Sequence, residues 1–353
     1  MKNLLQVLFT VLITLQIAMA EERIKTAAFL PLSGPWSPNG YYTQEGIELA
    51  LTSLKKDGIH LDVKFEDVCF AKDAVTSLKS LTLDSSIEGI VANYCVLSLA
   101  AIKSIVEREK IITFQNSIAP GNLIDNEKLI YSTFPTADEE SKVIAEHAYN
   151  TLGARRVAIL QLMTQWGIGF ANKFTKHFEN LGGKVVFDEQ QATPVNDFRP
   201  ELSRIKNTNI DTIFLAHVGA DLVLALKQIA SLGIKAKLVA TSEVYDDHII
   251  KEGRSYANGL SFFIPKLNPE NEYVKRLMTE YPKDKLASLR PLTSHAYLST
   301  LTFGKGRTKC GKDKGCLSSF LKNEMIDIRG GGSWDSSKFQ KVEIKNQEFV
   351  KAN

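Results

Sequence analysis

Residues 196–241 read NDFRPELSRIKNTNIDTIFLAHVGADLVLALKQIASLGIKAKLVAT, and their pattern decides the fold. Glu201–Asn207 has helical spacing, Thr212–Ala216 is an unbroken apolar run, Ala220–Leu232 is helical again, and Lys237–Thr241 is extended. A 3.6-residue period that twice gives way to a short apolar run marks helix–strand alternation. Strands without polar alternation are buried on both faces, which predicts an α/β protein with a parallel sheet covered by helices. The pattern continues upstream, with strands at Arg156–Leu162 and Lys184–Asp188 and helices at Lys142–Leu152 and Gly169–Leu181. An earlier series precedes Thr136. Its strands are Ile24–Leu30, Leu61–Val68, Ile90–Tyr94 and Ile111–Phe114, and its helices are Gln44–Leu54, Ala71–Leu83 and Ser98–Arg108. Two series of about four βα units predict two doubly wound lobes. Past Gly259 come a strand (Leu260–Ile264), two helical stretches (Asn271–Tyr281 and Thr293–Phe303) and a hairpin-like end. That tail is too short for a third domain, so it is expected to complete the first two.

Composition agrees with this reading. Of 353 residues, 44% are hydrophobic and 24% charged, ordinary globular usage that excludes disordered and fibrous classes. The length suits about two domains. A net charge of +3 without a basic cluster does not suggest nucleic acid as a partner. At the N-terminus, Met1-Lys2-Asn3 precedes an apolar run to Ala18, and Ala18-Met19-Ala20 stands before Glu21-Glu22. One positive charge, an apolar core and an A-x-A site read as an export signal, residues 1–20, cleaved after Ala20. The run is too short to span a bilayer, and no later stretch reaches transmembrane length. The mature chain is expected to be a soluble periplasmic protein.

Four cysteines, Cys69, Cys95, Cys310 and Cys316, lie beyond the signal. An even count in an oxidising compartment points to disulfides, with three possible pairings. Cys69 and Cys95 each end an extended run, and adjacent parallel strands would bring those ends together. Cys310 and Cys316 flank Gly-Lys-Asp-Lys-Gly, a loop short enough to close on itself. Neither pair has zinc-ligand spacing.

Catalytic motifs fail one by one. The segment from Gly306 to Asp313 nearly spells a P-loop, but Asp313 stands where Ser or Thr must hold Mg²⁺. The six His are scattered and form no H-E-x-x-H set, and there is no G-x-S-x-G elbow. No enzyme activity, cofactor or metal is expected. What remains is the set of loops at the carboxyl ends of the strands, where open α/β sheets bind ligands. Those loops carry Trp36, Asn39, Tyr94, Ser98, Ser117, Ala119, Trp166, His217, Ser242, Glu243 and Tyr245. Two facing lobes would line a cleft with them, and helix starts near Ser98 and Gly169 would offer N–H groups to an anionic ligand group.

Several segments then resemble one family, the leucine/isoleucine/valine-binding proteins, type I periplasmic binding proteins of ABC importers. They are LPLSGPWSPNGYYTQEGIELA (30–50), VKFEDVCFAKDAV (63–75), IVANYCVLSLAA (90–101), the stretch from Asn196 to Lys237, and IRGGGSWDSSKFQKVEIKNQEFV (328–350). The family has a disulfide between its two cysteine segments, which favours Cys69–Cys95. The resemblance implies three crossovers, near Ala137, Pro265 and Gly331–Gly332. Lobe one would then be 21–137 plus 265–331, and lobe two 138–264 plus 332–353. Carried over residue by residue, the first carboxylate contact of an amino-acid ligand falls on Val96, with Ser98 two positions on. The next two contacts fall on Ser117 and Ala119, where the family's Thr hydroxyl is absent. The aromatic lid falls on Trp166, a second Tyr on Val218, and the acid that meets the ligand ammonium on Ser242, with Glu243 beside it. These departures weigh against a branched-chain amino acid, because an unpaired buried charge costs several kcal/mol, and they favour an amide-like or aromatic small molecule. The resemblance implies hinge closure on a solute held between Trp36 and Trp166, with Ser98, Ser117 and Glu243 at its polar end. A monomer handing its solute to an ABC permease in the inner membrane is the expected setting. The rival expectation is a periplasmic sensor that presents its closed state to a signalling receptor.

Overall fold

The computed structural model describes residues 23–83, 87–124, 128–331 and 334–352. The export signal, residues 1–20, and Gly332 of the third crossover lie outside the described residues. Among the described residues twelve strands form two sheets. The first has the order β2-β1-β3-β4-β5, all parallel, built from Ile24–Leu30 (β1), Leu61–Asp67 (β2), Gly89–Asn93 (β3), Ile112–Gln115 (β4) and Ile130–Ser132 (β5). The second has the order β12-β11-β10-β9-β8-β6-β7. Its strands are Arg156–Leu162 (β6), Lys184–Gln191 (β7), Thr212–Ala216 (β8), Lys237–Ala240 (β9), Leu260–Pro265 (β10), Phe339–Lys345 (β11) and Glu348–Lys351 (β12). The last two pair antiparallel and form the hairpin that ends the chain.

Period-two alternation explains how each sheet takes helices on both faces. In β8, Phe214 and Ala216 face Val143 and Ile144 of Ala137–Glu146 (α4) and Phe170, Phe174 and Phe178 of Gln165–Asn180 (α5). Ile213 and Leu215 face Leu202 and Ile205 of Arg199–Lys206 (α6) and Leu222 and Leu226 of Gly219–Ser231 (α7). The first sheet is covered on one side by Ala71–Leu83 (α2) and Val96–Glu109 (α3). Its other side meets Ser37–Lys56 (α1) together with Glu272–Glu280 (α9), Pro291–Cys310 (α10) and Lys314–Ile328 (α11). A short helix, Asp247–Gly253 (α8), follows β9.

The tail therefore does complete earlier units. Helices from residues 272–328 cap a sheet made of residues 24–132, while β10, β11 and β12 belong to the other sheet. The chain passes between lobes after β5, after β10 and again before β11. The join between α1 and α10 is backbone-close. A Cβ on Gly46 would stand 2.1 Å from the Thr293 carbonyl oxygen, so only glycine permits this crossing.

Several expectations are corrected. The helix expected at Lys142 starts at Ala137, because Thr136 and Glu139 form a reciprocal capping box that satisfies two end N–H groups. The strands ahead of Cys69 and Cys95 are not neighbours. β1 lies between β2 and β3, and the disulfide bridges over its carboxyl end with Cα atoms 5.1 Å apart. Cys310 and Cys316 also pair, but across a helix junction rather than a loose loop. Cys310 ends α10, and Cys316 lies in the first turn of α11, where the Asp313 carboxylate accepts from the Gly315 and Cys316 amides. Among the described residues no helix is long and apolar enough to cross a membrane.

Candidate functional site

The carboxyl ends of both sheets point into one cleft with a cavity of about 100 Å³ that opens to solvent. From the first lobe come Trp36 at the start of α1, the Cys69–Cys95 disulfide, Tyr94, the first turn of α3 at Val96 and Leu97, and Ser117 beyond β4. From the second come Leu162 at the end of β6, Thr164, Trp166, Val218 and Glu243. Thr164 caps α5 by accepting from the Gly167 amide at 3.2 Å, which sets half-buried Trp166 in the first turn. Trp166 leans on Phe170 one turn later (5.1 Å between centroids), and Trp36 on Phe70 (6.0 Å). No side chain caps α3 or α7, so their first-turn amides, at the cavity wall, are open to an acceptor.

A hydrogen-bond chain crosses the cleft. The Asn39 amide donates to the Tyr94 hydroxyl (2.6 Å), and that hydroxyl donates to Glu243 Oε2 (2.9 Å). Burial, reinforced by the Glu243 charge, pushes the Tyr94 phenol well above its ordinary range. Burial lifts the Glu243 carboxyl to about 7, against the pull of the Tyr94 hydrogen bond. Behind it, fully buried Glu140 of α4 accepts from the Ser242 amide (2.6 Å) and hydroxyl (3.2 Å). Burial, with Glu243 nearby, raises its carboxyl to about 8. Among the described residues Glu243 is the one carboxylate on the cavity wall, where no Lys, Arg or His stands.

The structure brings Trp36, Tyr94, Ser117, Trp166 and Glu243 together in the cleft, and six expected residues do not reach it, among them Ser242, which turns back to Glu140. Asn39 stands one layer behind, as the donor to Tyr94. Ser98 is fully buried, its hydroxyl bonded to Asn93 Oδ1 (2.7 Å) and the Cys95 carbonyl (2.6 Å), so it does not substitute for a hydroxyl at Val96. Ala119 packs among Val96, Leu99, Leu123 and Ile130, and its carbonyl accepts from Ala137 at the first crossover. His217 is fully buried, with Nε2 2.9 Å from Gln191 Oε1 and its ring edge-on to Phe198, and burial lowers it to about 3. Tyr245 also turns away, against Phe262 and Phe349. Cys69, Leu97 and Leu162, not expected as contacts, make the wall largely apolar, and Thr164 joins them there. Val96 and Val218, where hydroxyls would stand in the family, do face the cavity.

These shifts set a pH dependence. An acid whose folded pKa is raised gives stability that is complete below its unfolded value and lost as pH rises through its folded value. For Glu140 that window runs from about 4.5 to about 8. Thermal melts from pH 5 to 9 should show wild-type stability falling across it, and Glu140→Gln should flatten that fall, the remainder belonging to Glu243. An unchanged slope in the variant would remove Glu140 as its source. On the acid side, His217 and His295, each held near 3 by burial, cost stability as pH drops below about 6.5.

A family model described as periplasmic binding protein matches residues 23–316. The Leu/Ile/Val/Thr-binding protein of Salmonella typhimurium is 24% identical over 336 residues, covering 92% of this chain and 90% of that protein. The Leu/Ile/Val-binding protein of Escherichia coli K12 is 24% identical over 342 residues, covering 94% and 90%. Among solved structures, the leucine binding protein LivK of Thermotoga maritima superposes with a TM-score of 0.79 at 18% identity, covering 94% of this chain and 98% of that one. A solute binding protein of R. palustris in complex with 4-hydroxybenzoate gives 0.75 at 20% identity, covering 94% and 96%.

Proposed function

The chain belongs to the periplasmic binding protein family, and on that premise we propose that it captures a small solute between its lobes and hands it to an ABC importer. It acts in the periplasm after export, as a monomer, and performs no chemistry on its guest. The lobes are residues 21–137 plus 265–331 and residues 138–264 plus 332–353. The observation that carries the proposal is a cleft whose two walls belong to different lobes, each contributing one tryptophan, Trp36 and Trp166. A solute there touches both lobes, so it binds the closed form better than the open one and draws the equilibrium toward closure.

The wall chemistry narrows the guest. Trp36, Trp166, Tyr94, Leu97, Leu162 and Val218 suit an apolar or aromatic body. Glu243 suits a donor or cationic group, and the open amides of α3 suit an acceptor. Relatives named for leucine, isoleucine and valine, and a structural neighbour holding 4-hydroxybenzoate, bracket this range. Missing hydroxyls at Val96 and Val218, both on the cavity wall, weaken the hold on the charged groups of an amino acid, which favours aromatic and amide-like solutes over branched-chain amino acids.

The test is intrinsic tryptophan fluorescence and melting temperature against a panel of L-leucine, L-phenylalanine, phenylacetamide, benzoate and 4-hydroxybenzoate. At least one solute should shift both readouts, with an aromatic one binding more tightly than leucine. A panel and a wider solute library that leave both unchanged would defeat the proposal.

A further inference from the structure

A second interlobe contact lies outside the cleft, and no solute held between the tryptophans could touch it. Arg290 stands at the N-terminus of α10 in the first lobe and is only 5% exposed; its side chain meets the Tyr42 hydroxyl of its own lobe, but its aromatic and carboxylate partners belong to the second lobe. Its Cζ sits 4.5 Å from the ring centroid of Tyr245 and 5.3 Å from that of Phe349. Those two rings meet edge to face at 4.5 Å and make an aromatic corner for the cation. Nη2 pairs with the Asp247 carboxylate at the start of α8. None of these four residues lines the main cavity. A small void bounded by Tyr42, Ser242, Glu243, Tyr245 and Arg290 separates the contact from it.

We infer that Arg290 fastens the closed form, setting solute affinity through the open–closed equilibrium without touching the solute. The inference rests on the solute-capture reading only for its affinity consequence. Separating the lobes takes Tyr245, Phe349 and Asp247 away together and leaves the guanidinium with Tyr42 and water, so the contact discriminates between the two forms. A contact made in one state alone shifts the population by its full differential strength. The cation is matched to a corner rather than to a single acid. Lysine, lacking the planar guanidinium that stacks on rings, should restore only part of the effect.

Small-angle scattering of the solute-free protein tests this directly. Wild type should contain a closed population, and Arg290→Ala should raise the radius of gyration by about 1 Å above the roughly 20 Å of a compact chain this size. Asp247→Asn, a largely exposed position and so a safe variant for folding, should expand the protein in the same direction, and Arg290→Lys should fall between. The double variant should expand no more than Arg290→Ala, because the two residues act as one unit. Where wild type binds L-leucine or 4-hydroxybenzoate, Asp247→Asn should bind about tenfold more weakly, through faster dissociation. Superimposable scattering curves for wild type and variants, or a wild type already as open as Arg290→Ala, would overturn the inference. So would a lowered melting temperature without expansion, which would reduce Arg290 to a stability contact. Wild-type protein that binds no solute would sink the capture reading, and the scattering series would still decide the fastener.

Discussion

Trp166→Ala should raise the dissociation constant of the bound solute by about 100-fold. Tryptophan presents the largest contact surface of any side chain, and truncation at a desolvated anchor commonly costs about 2–4 kcal/mol. A 100-fold loss corresponds to about 2.8 kcal/mol, inside that range. The ring stands at the cavity wall, set by the Thr164 cap and supported by Phe170, so no neighbour can replace it. Trp166→Phe keeps an aromatic face and should lose less than tenfold. His217→Gln changes a buried residue that does not line the cleft and should leave affinity unchanged. Calorimetric titration of all three with one panel solute checks the assignment, and an alanine variant within threefold of wild type would remove Trp166 from the site.

The second large effect concerns the cysteines. On the chain-entropy model, a bridge between residues 26 apart stabilises by about 3.5 kcal/mol and one between residues 6 apart by about 2 kcal/mol. The two differ in kind as well as size. Cys69–Cys95 forms part of the cleft wall, whereas Cys310–Cys316 staples two helices far along the chain from any cleft residue. Urea unfolding of Cys69→Ser/Cys95→Ser should therefore show the larger stability loss, accompanied by weaker solute binding. Cys310→Ser/Cys316→Ser should lose less and bind as wild type does. Equal losses, or unchanged affinity in the first variant, would separate that bridge from the site.

The paired lobes were legible because parallel strands such as Thr212–Ala216 are unbroken apolar runs and their helices carry one apolar stripe. Ile130–Ser132 was not, since three residues show no period. The helix Lys314–Ile328 holds Cys316 of the second disulfide in its first turn, and its polar run hides the stripe of Leu317, Leu321 and Met325. At the site, residues just past the strand ends were recognisable as a group, but their directions were not assigned. Two of the misplacements carried a signal. His217 continues the pleat of Ile213 and Leu215, and so points toward Phe198 rather than the cleft. Ser98 shares the inward face of α3 with Leu99, Ile102 and Ile105. Ala119 had no such signal, because its burial depends on the crossover at Thr136–Ala137, a contact between distant parts of the chain.

The triple passage of the chain bears on how the molecule is made. The first five strands are complete by residue 132, but Ala50, Leu54, Val91 and Phe114 stay uncovered until Tyr297 and Leu301 arrive. The first lobe cannot complete its core from an amino-terminal fragment alone. That lobe stays incomplete until the last sixth of the chain begins to emerge, a condition in which a polypeptide can still be threaded through a translocation pore.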